Sequence, residues 1–569
     1  MPPARRLTIL TALAATLAPA SAVAAPGDTT LVSHVAGVPA DQQIYNPVIS
    51  GDGSTVAFTS RATSFSAADE DATFDVFAKP LGSPAMTLVS AKPPLTAADF
   101  DATSAAISQN GRYVAFRSPA INLSDDDQDN TDDIYRRDLQ TGAVELVSRA
   151  SGVAGAAGDD DSGAPSISAD GRLIAFQSDA TNLTAAGDDT VQNIFVRDMT
   201  THTTYLVSRS GATVATNDSE RPQISADGST VVFASDTSVL DGGLAGTTDV
   251  FAHDLASGTS HLVSRQSSAD GGAPQDDDGG TAEALAVSAD GSRVAWATSA
   301  SNLVGAGTTL KIVVRDRVAQ TTTLVSRADG AAGAAANGPS FGPAMSADGT
   351  KIAFHTYATN IDPLDTVASG DVYVRDVSAG TTSLASRRTM SRGGEKGDDA
   401  SFAASISADG TKVAFTSYAD NLADVAGYAN GQAFVHEMGG QLPTPPTPPA
   451  PSPAGDPAPA AAPPAPVASG GRPVKKLRAR LAFSRGTSSC IRDGRLVLKL
   501  KVFQGAPGAK VLRASVRVNR GKAKRLRGGK ARRVVLRGLH GRRVTVRITA
   551  RTSTGEALTR TRTYRRCAR

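Results

Sequence analysis

Three groups of side chains have types and spacings that could carry chemistry. The first is the carboxylate run Asp125-Asp126-Asp127-Gln128-Asp129, in which Asp125, Asp127 and Asp129 alternate as the opening ligands of a calcium loop do. Clustered carboxylates suit a hard cation, so Ca²⁺ is the cofactor this segment could take. Asn130 stands where such a loop turns on glycine, and Arg136 where it carries its bidentate glutamate. The second group is Tyr45, Asn46, Glu220, Arg221, Glu283, Phe341 and Phe402, each at the start of an apolar run that recurs along the chain. Brought to one place by a repeat array, these seven could line a ligand site. Glu220 and Glu283 could then act as the carboxylate pair of a glycan hydrolase or lyase. Equally, all seven could be ordinary loop residues that pack or solvate the strand ends. The third group is the basic run Lys522, Lys524, Arg525, Arg527, Lys530, Arg532 and Arg533, dense enough to hold an anionic polymer by charge alone.

Enzyme signatures are missing. The seven histidines, His34, His202, His253, His261, His355, His436 and His540, show no metal-ligand spacing, and no Gly-x-Ser-x-Gly elbow occurs. No catalytic residue is assigned. The basic run has neither a nucleic-acid-binding motif nor a set of aromatics for base stacking, which favours anionic envelope polysaccharide over nucleic acid as its partner.

A longer pattern positions these residues. Ile167-Ser168-Ala169-Asp170-Gly171-Arg172-Leu173-Ile174-Ala175-Phe176 is one copy of a phrase whose turn glycine recurs as Gly53, Gly111, Gly171, Gly228, Gly291, Gly349 and Gly410. Seven copies at a near-constant period of about 60 residues indicate a repeat architecture. Each repeat reads as four short strands, in the third copy Ala164 to Ser168, Leu173 to Ser178, Asn193 to Asp198 and Thr204 to Arg209. The second strand always carries an aromatic: Phe58, Phe116, Phe176, Phe233, Trp296, Phe354 or Phe415. Their expected role is packing between sheets. A Leu-Val-Ser or Leu-Ala-Ser strand ends the first six repeats, at Leu88, Leu146, Leu206, Leu262, Leu324 and Leu384, and the seventh lacks one. Leu31-Val32-Ser33 precedes the first repeat. An N-terminal strand that completes the last sheet would close a ring and remove its open edges. The expected fold is therefore all-β: a seven-bladed β-propeller closed by the N-terminal strand.

The phrase Ile-Ser-Ala-Asp-Gly, followed by Val-Ala-Phe and then by Asp133-Ile134-Tyr135 or Asp249-Val250-Phe251, resembles the WD40-like repeats of TolB-type propellers over residues 31–438. The resemblance implies blades of four strands. The family's Trp-Ser-Pro-Asp-Gly has become Ile-Ser-Ala-Asp-Gly here, the repeats are longer, and the family's namesake has six blades, so its lipoprotein partner is not carried over.

Charge and composition divide the chain. Residues 26–440, the propeller, carry 25 basic and 52 acidic residues, whereas residues 472–569 carry 31 basic and 2 acidic ones. Between them, residues 441–471 are a Pro/Ala-rich linker of extended polyproline character. The basic segment alternates, Leu496, Leu498, Leu500 and Val502 against Lys499 and Lys501, and is similar to a small Ig-like or fibronectin-III-like β-sandwich. Residues 1–25 read as a signal peptide, with Arg5 and Arg6 before an apolar run and an Ala-x-Ala site at Ala22 to Ala24. Export makes Cys490 and Cys567 a disulfide pair. No other stretch approaches the roughly 20 apolar residues of a membrane span.

Propeller topology puts the loop between strands two and three on the same face as the loop that leads into the next blade. These are the acidic loops, among them Asp159-Asp160-Asp161, Asp276-Asp277-Asp278 and Asp398-Asp399. Three roles suit such a face: a solvated rim, cation binding, or docking of a basic partner, the chain's own C-terminal domain included. The sequence thus points to a secreted or cell-surface, non-enzymatic interaction protein that binds protein or anionic polymer. The alternative is a glycan-active enzyme working at the channel mouth.

Overall fold

The computed structural model describes residues 27–439 except 70–72, 93–95, 128, 186–190, 242–247, 268–283, 305–308, 364, 391–392 and 424–429, and beyond them seven strands between Arg480 and Arg565. The signal segment, the linker and both cysteines lie outside the described residues. The chain divides into two compact units, Met1–Pro446 and Thr447–Arg569.

The first unit is a seven-bladed β-propeller. Its inner strands are Ile44–Ile49, Thr103–Ile107, Ser162–Ile167, Ser219–Ile224, Leu285–Val287, Ser340–Met345 and Ser401–Ile406. Each touches the next, and the seventh touches the first. Blades 1 to 6 are four consecutive antiparallel strands. Blade 7 joins Ser401–Ile406, Lys412–Ser417 and Gln432–Glu437, and Thr29–Leu31 pairs antiparallel with the last of these. In blade 3 the second and third strands match the reading of the sequence, whereas the first runs Ser162–Ile167 and the fourth Thr203–Leu206, which stops three residues short. The stop has a cause, because Ser208 turns its side chain back into its own sheet. Its hydroxyl donates to Asn193 and accepts the amide of Ile194. The same serine recurs in every blade, in blade 7 as Ser33, which donates to Gln432 and accepts the amide of Ala433. Among the described residues the helical pieces are single turns, Thr63–Phe65 and Ser301–Val304.

Second strands are covered on both faces by neighbouring sheets and are therefore apolar almost throughout. Phe58, Phe116, Phe176, Phe233, Trp296, Phe354 and Phe415 are all fully buried. Most meet an aromatic on the adjoining third strand, as Phe176 does Phe195, stacked at 5.9 Å between ring centres. Burying each contributes about 1.5–3 kcal/mol, so these seven are scaffold.

The Ser-Ala-Asp-Gly turns do more than reverse the chain. In each, the serine hydroxyl donates to the following Asp or Asn, as Ser168 does to Asp170 at 2.7 Å, and the same oxygen of Asp170 accepts the amide of Arg172. This leaves the turn backbone free to bond across blades, through the amide of the residue after the serine or, in blades 1 and 4, of the Asp itself. The amide of Asp52 donates to the Gln109 carbonyl, Gln109 to Ala169, Ala169 to Ala226, Asp227 to Ala289, Ala289 to Ala347, Ala347 to Ala408, and Ala408 back to Gly51. These bonds of 2.7 to 3.1 Å form a complete circle. The turn glycines adopt the left-handed region, Gly291 at φ 71°, and a Cβ there would lie 2.3 Å from Oγ1 of buried Thr230 in the preceding blade.

In the second unit, Arg480–Phe483, Leu496–Phe503 and Arg533–Leu536 form one three-stranded sheet. Lys524–Arg527, Val511–Val518, Arg543–Thr552 and Ala557–Arg565 form a four-stranded antiparallel one.

Gly291→Ala should lower stability by on the order of 2–3 kcal/mol, since it adds a clash to the usual cost of a left-handed residue. Gly211→Ala, also left-handed (φ 57°) but open on all sides, should cost about 1 kcal/mol. Thermal midpoints of the two variants measure the difference. Equal midpoints would mean that the inter-blade contact yields freely.

Candidate functional site

Six inner strands carry a bulge at one repeat position. In blade 1, Tyr45 pairs with Thr59 and Val48 with Ala57, so one residue is extra. The residue there is left-handed: Asn46, Ser104, Ala164, Arg221, Gly342 and Ala403, with φ between 46° and 59°. A proline follows in four blades, Pro47, Pro165, Pro222 and Pro343, where the extra residue leaves no ladder hydrogen bond for an amide to make. The recurrence makes the bulge architectural. Such a bulge re-aims the side chains beside it.

Around the bulges of blades 1, 6 and 7 lies a cavity of about 530 Å³, lined by Asn46, Pro47, Val48, Ala284, Phe341, Gly342, Pro343, His355, Tyr357, Phe402, Ala403 and Ala404. Four of these residues, Phe341, His355, Tyr357 and Phe402, carry aromatic rings. Phe341 stacks on the His355 imidazole at 5.3 Å, and Tyr357 meets Phe341 edge-on at 6.1 Å. Phe402 leans on Tyr418 at 5.7 Å. Gly342 packs against the imidazole, a Cβ there lying 3.4 Å from its Nδ1. That nitrogen is buried without a hydrogen-bond partner, and burial pushes the His355 pKa down to about 4. The ring is therefore neutral at pH 7 and serves as a flat apolar surface. Among the described lining residues there is no carboxylate.

Three of the seven sequence candidates, Asn46, Phe341 and Phe402, come together here. Tyr45 turns away onto the edge of Phe74 at 5.4 Å and donates its hydroxyl to Gln43. Glu220 and Arg221 sit on blade 4, outside the cavity lining. Glu283 lies outside the described residues, next to lining residue Ala284. His355 and Tyr357 were not legible as site residues. They sit on and just after a second strand, whose pattern reads as core; the signal that could have found them was the Gly-Pro pair opposite.

In blades 3 and 7 the acidic loop that leads into the blade bonds to the loop between its second and third strands: Asp159 accepts the Thr181 amide, Asp398 the Asp420 amide, and Asn182 and Asn421 donate to the carbonyls of Ala157 and Lys396; Asp276-Asp277-Asp278 lie outside the described residues. These carboxylates thus brace loop against loop. Asp125 points into solvent and pairs with Lys92 at 2.5 Å. Asp127 and Asp129 instead gather with Asp133, their carboxylate oxygens all within 4.8 Å of one another. Asp127 and Asp133 are buried, and loss of solvation raises both their pKa values, that of Asp133 well above the carboxylate range.

No family model and no curated protein sequence matches the chain. Among solved structures it is similar to a chain from a structural and mechanistic study of two prolyl endopeptidases (TM-score 0.40, 10% identity), covering 81% of this chain and 55% of that one. It is also similar to the putative TolB from Agrobacterium tumefaciens (TM-score 0.32, 16% identity; 62% of this chain, 94% of that one). A third likeness is to the WD40 repeats of RRP9 (TM-score 0.39, 10% identity; 72% of this chain, 97% of that one). This chain's own strand order is that of an all-β, seven-bladed β-propeller, with almost no helix among the described residues.

Stability should depend on pH through buried imidazoles, His355 and His436 foremost. His436 is also pushed down to about 4, by burial and by the neighbouring Arg387, while its Nδ1 meets the Thr29 hydroxyl at 2.7 Å. Depressed folded-state values contribute stability that is complete above about pH 6.5 and is lost as pH falls through 4. The loss for fully buried His436 approaches about 3 kcal/mol. Thermal midpoints between pH 7.5 and 4 should drop, less steeply in His436→Gln; identical slopes in variant and parent would show that His436 titrates freely.

Proposed function

We propose that the chain is a secreted or cell-surface, non-enzymatic binding protein. The ring, closed by its N-terminal strand, presents the aromatic cavity to a ring-bearing or apolar group of a partner. Its basic C-terminal β-sandwich, stapled by Cys490 and Cys567, holds anionic envelope polysaccharide. The observation that carries the reading is the cavity lining: stacked aromatic faces, a neutral imidazole and one amide, Asn46, suit shape and stacking recognition. Acid–base cleavage of a glycan would call for two carboxylates flanking the bond, and Glu220 lies elsewhere on the ring.

Screening the full chain against oligosaccharides and aromatic peptides should give ligands whose affinity falls at least tenfold in Phe341→Ala and Phe402→Ala, with Tyr45→Ala as the unaffected control. Turnover of a panel glycan that Glu220→Gln abolishes would put the hydrolase reading in its place. Binding of an anionic wall polymer should weaken steeply, by about tenfold or more, as salt is raised from about 50 to about 200 mM. Replacing Lys522, Lys524 and Arg525 by Glu should flatten that dependence. A salt-independent interaction would remove the electrostatic half of the reading.

A further inference from the structure

The first residue of each third strand occupies one buried slot, filled by Asp in four blades (Asp75, Asp133, Asp249 and Asp371) and by Asn193, Lys311 and Gln432 in the others. In blade 6 the slot is completed by a cation. Asp371 accepts the Ser386 hydroxyl at one oxygen and meets Lys396 Nζ at 2.7 Å with the other. Asp365, six residues earlier, lies 3.6 Å from the same ammonium and accepts the Tyr373 hydroxyl. Both carboxylates are fully buried. In blade 5 the ammonium comes from the slot itself, and Lys311 Nζ donates to the Ala336 carbonyl. In blade 7, Gln432 Nε2 donates to the Ala40 carbonyl. Each arrangement brings a positive or N–H donor into the same space.

Blade 2 reproduces the carboxylates of blade 6 and drops the lysine. Asp133 accepts the Ser148 hydroxyl, and Asp127, again six residues earlier, accepts the Tyr135 hydroxyl. The position of Lys396 is fixed by Asn421, which donates to its carbonyl; its blade 2 counterpart, held in the same way by Asn182, is Ala157. A third carboxylate, Asp129, joins the pair where blade 6 has Val367. The cations nearby are committed elsewhere: Arg149 to Asp126, Lys92 to Asp125, and Arg117 to Asp132. Asp133 is fully buried, and its Oδ2, the atom that corresponds to the lysine-bound oxygen of Asp371, has no hydrogen-bond partner.

We propose that Asp127, Asp129 and Asp133 bind a Ca²⁺ ion in the space that the Lys396 ammonium fills in blade 6. One carboxylate oxygen from each of the three lies within 4.8 Å of the others, close enough to share one ion, and an all-oxygen set of several protein ligands suits Ca²⁺, whereas Mg²⁺ keeps most of its waters. The ion replaces a built-in ammonium by an exchangeable one and ties the loop before the third strand of blade 2 to its sheet. This site is independent of the channel cavity and of its ligand.

The test is calcium titration of the chelator-treated full chain, read by calorimetry and by thermal midpoint. The parent should bind Ca²⁺ and gain several degrees. Ala157→Lys, which restores the blade 6 arrangement, should lose one equivalent of binding and keep a high midpoint without calcium. Asp133→Asn should weaken the same site at least tenfold; its fold is assured by Asn193, which takes the serine contact in blade 3. A parent that shows no calcium response, or variants with unchanged stoichiometry and unchanged response, would overturn the proposal.

Discussion

The circle of backbone hydrogen bonds through the Asp-Gly turns is the constraint on which the propeller depends. Each link is an ordinary amide-to-carbonyl bond with a net worth of about 1 kcal/mol, but every turn both gives to one neighbour and takes from the other. Its geometry therefore has to be the same in all seven blades. This explains the monotony of the phrase. The serine closes the turn internally, the Asp side chain accepts the next amides, a small residue stands at most of the linking positions, and a glycine lies against the preceding blade.

Freedom is left elsewhere, and there the blades diverge. The slot at the head of the third strand has to stay buried with its polar atoms paired, which Asp, Asn and Gln do by accepting the serine hydroxyl and Lys311 by donating to the Ala336 carbonyl. Other partners come from the loops that lead into the blades, where Lys396, Ala157 and Ala335 hold one position. The inner-strand bulge is a second point of freedom. It preserves the ladder on both sides while letting Asn46, Arg221 or Gly342 occupy the same left-handed position, so the channel wall can be apolar in one sector and charged in another.

Much of this was legible beforehand. The seven aromatics of the second strands are core because alternation in a doubly covered strand leaves them no exposed face, and the structure buries all seven. Asn46, Phe341 and Phe402 could be named because they stand where the copies differ. The carboxylate spacing at Asp125, Asp127 and Asp129 was visible as well, but spacing along a loop does not say which oxygens converge. Asp125 turns to Lys92, and Asp133, which opens the third strand of blade 2, supplies the third oxygen instead.

Period, strand pattern and turn chemistry are local properties, repeated seven times, and the sequence by itself determined the blade and the number of blades. The division into an acidic and a basic part was equally local, being a matter of counting charges. What only the tertiary structure decided is which side chains from different blades share a space: Phe341 with His355 and Phe402 around one cavity, and Lys396 over Asp365 and Asp371 where Ala157 leaves the carboxylates of blade 2 open. The reason is physical. A one-residue bulge changes where a side chain points without changing the hydrophobic period, and the partner of a buried carboxylate stands in a loop some 25 residues away, at a distance that no periodic signal encodes.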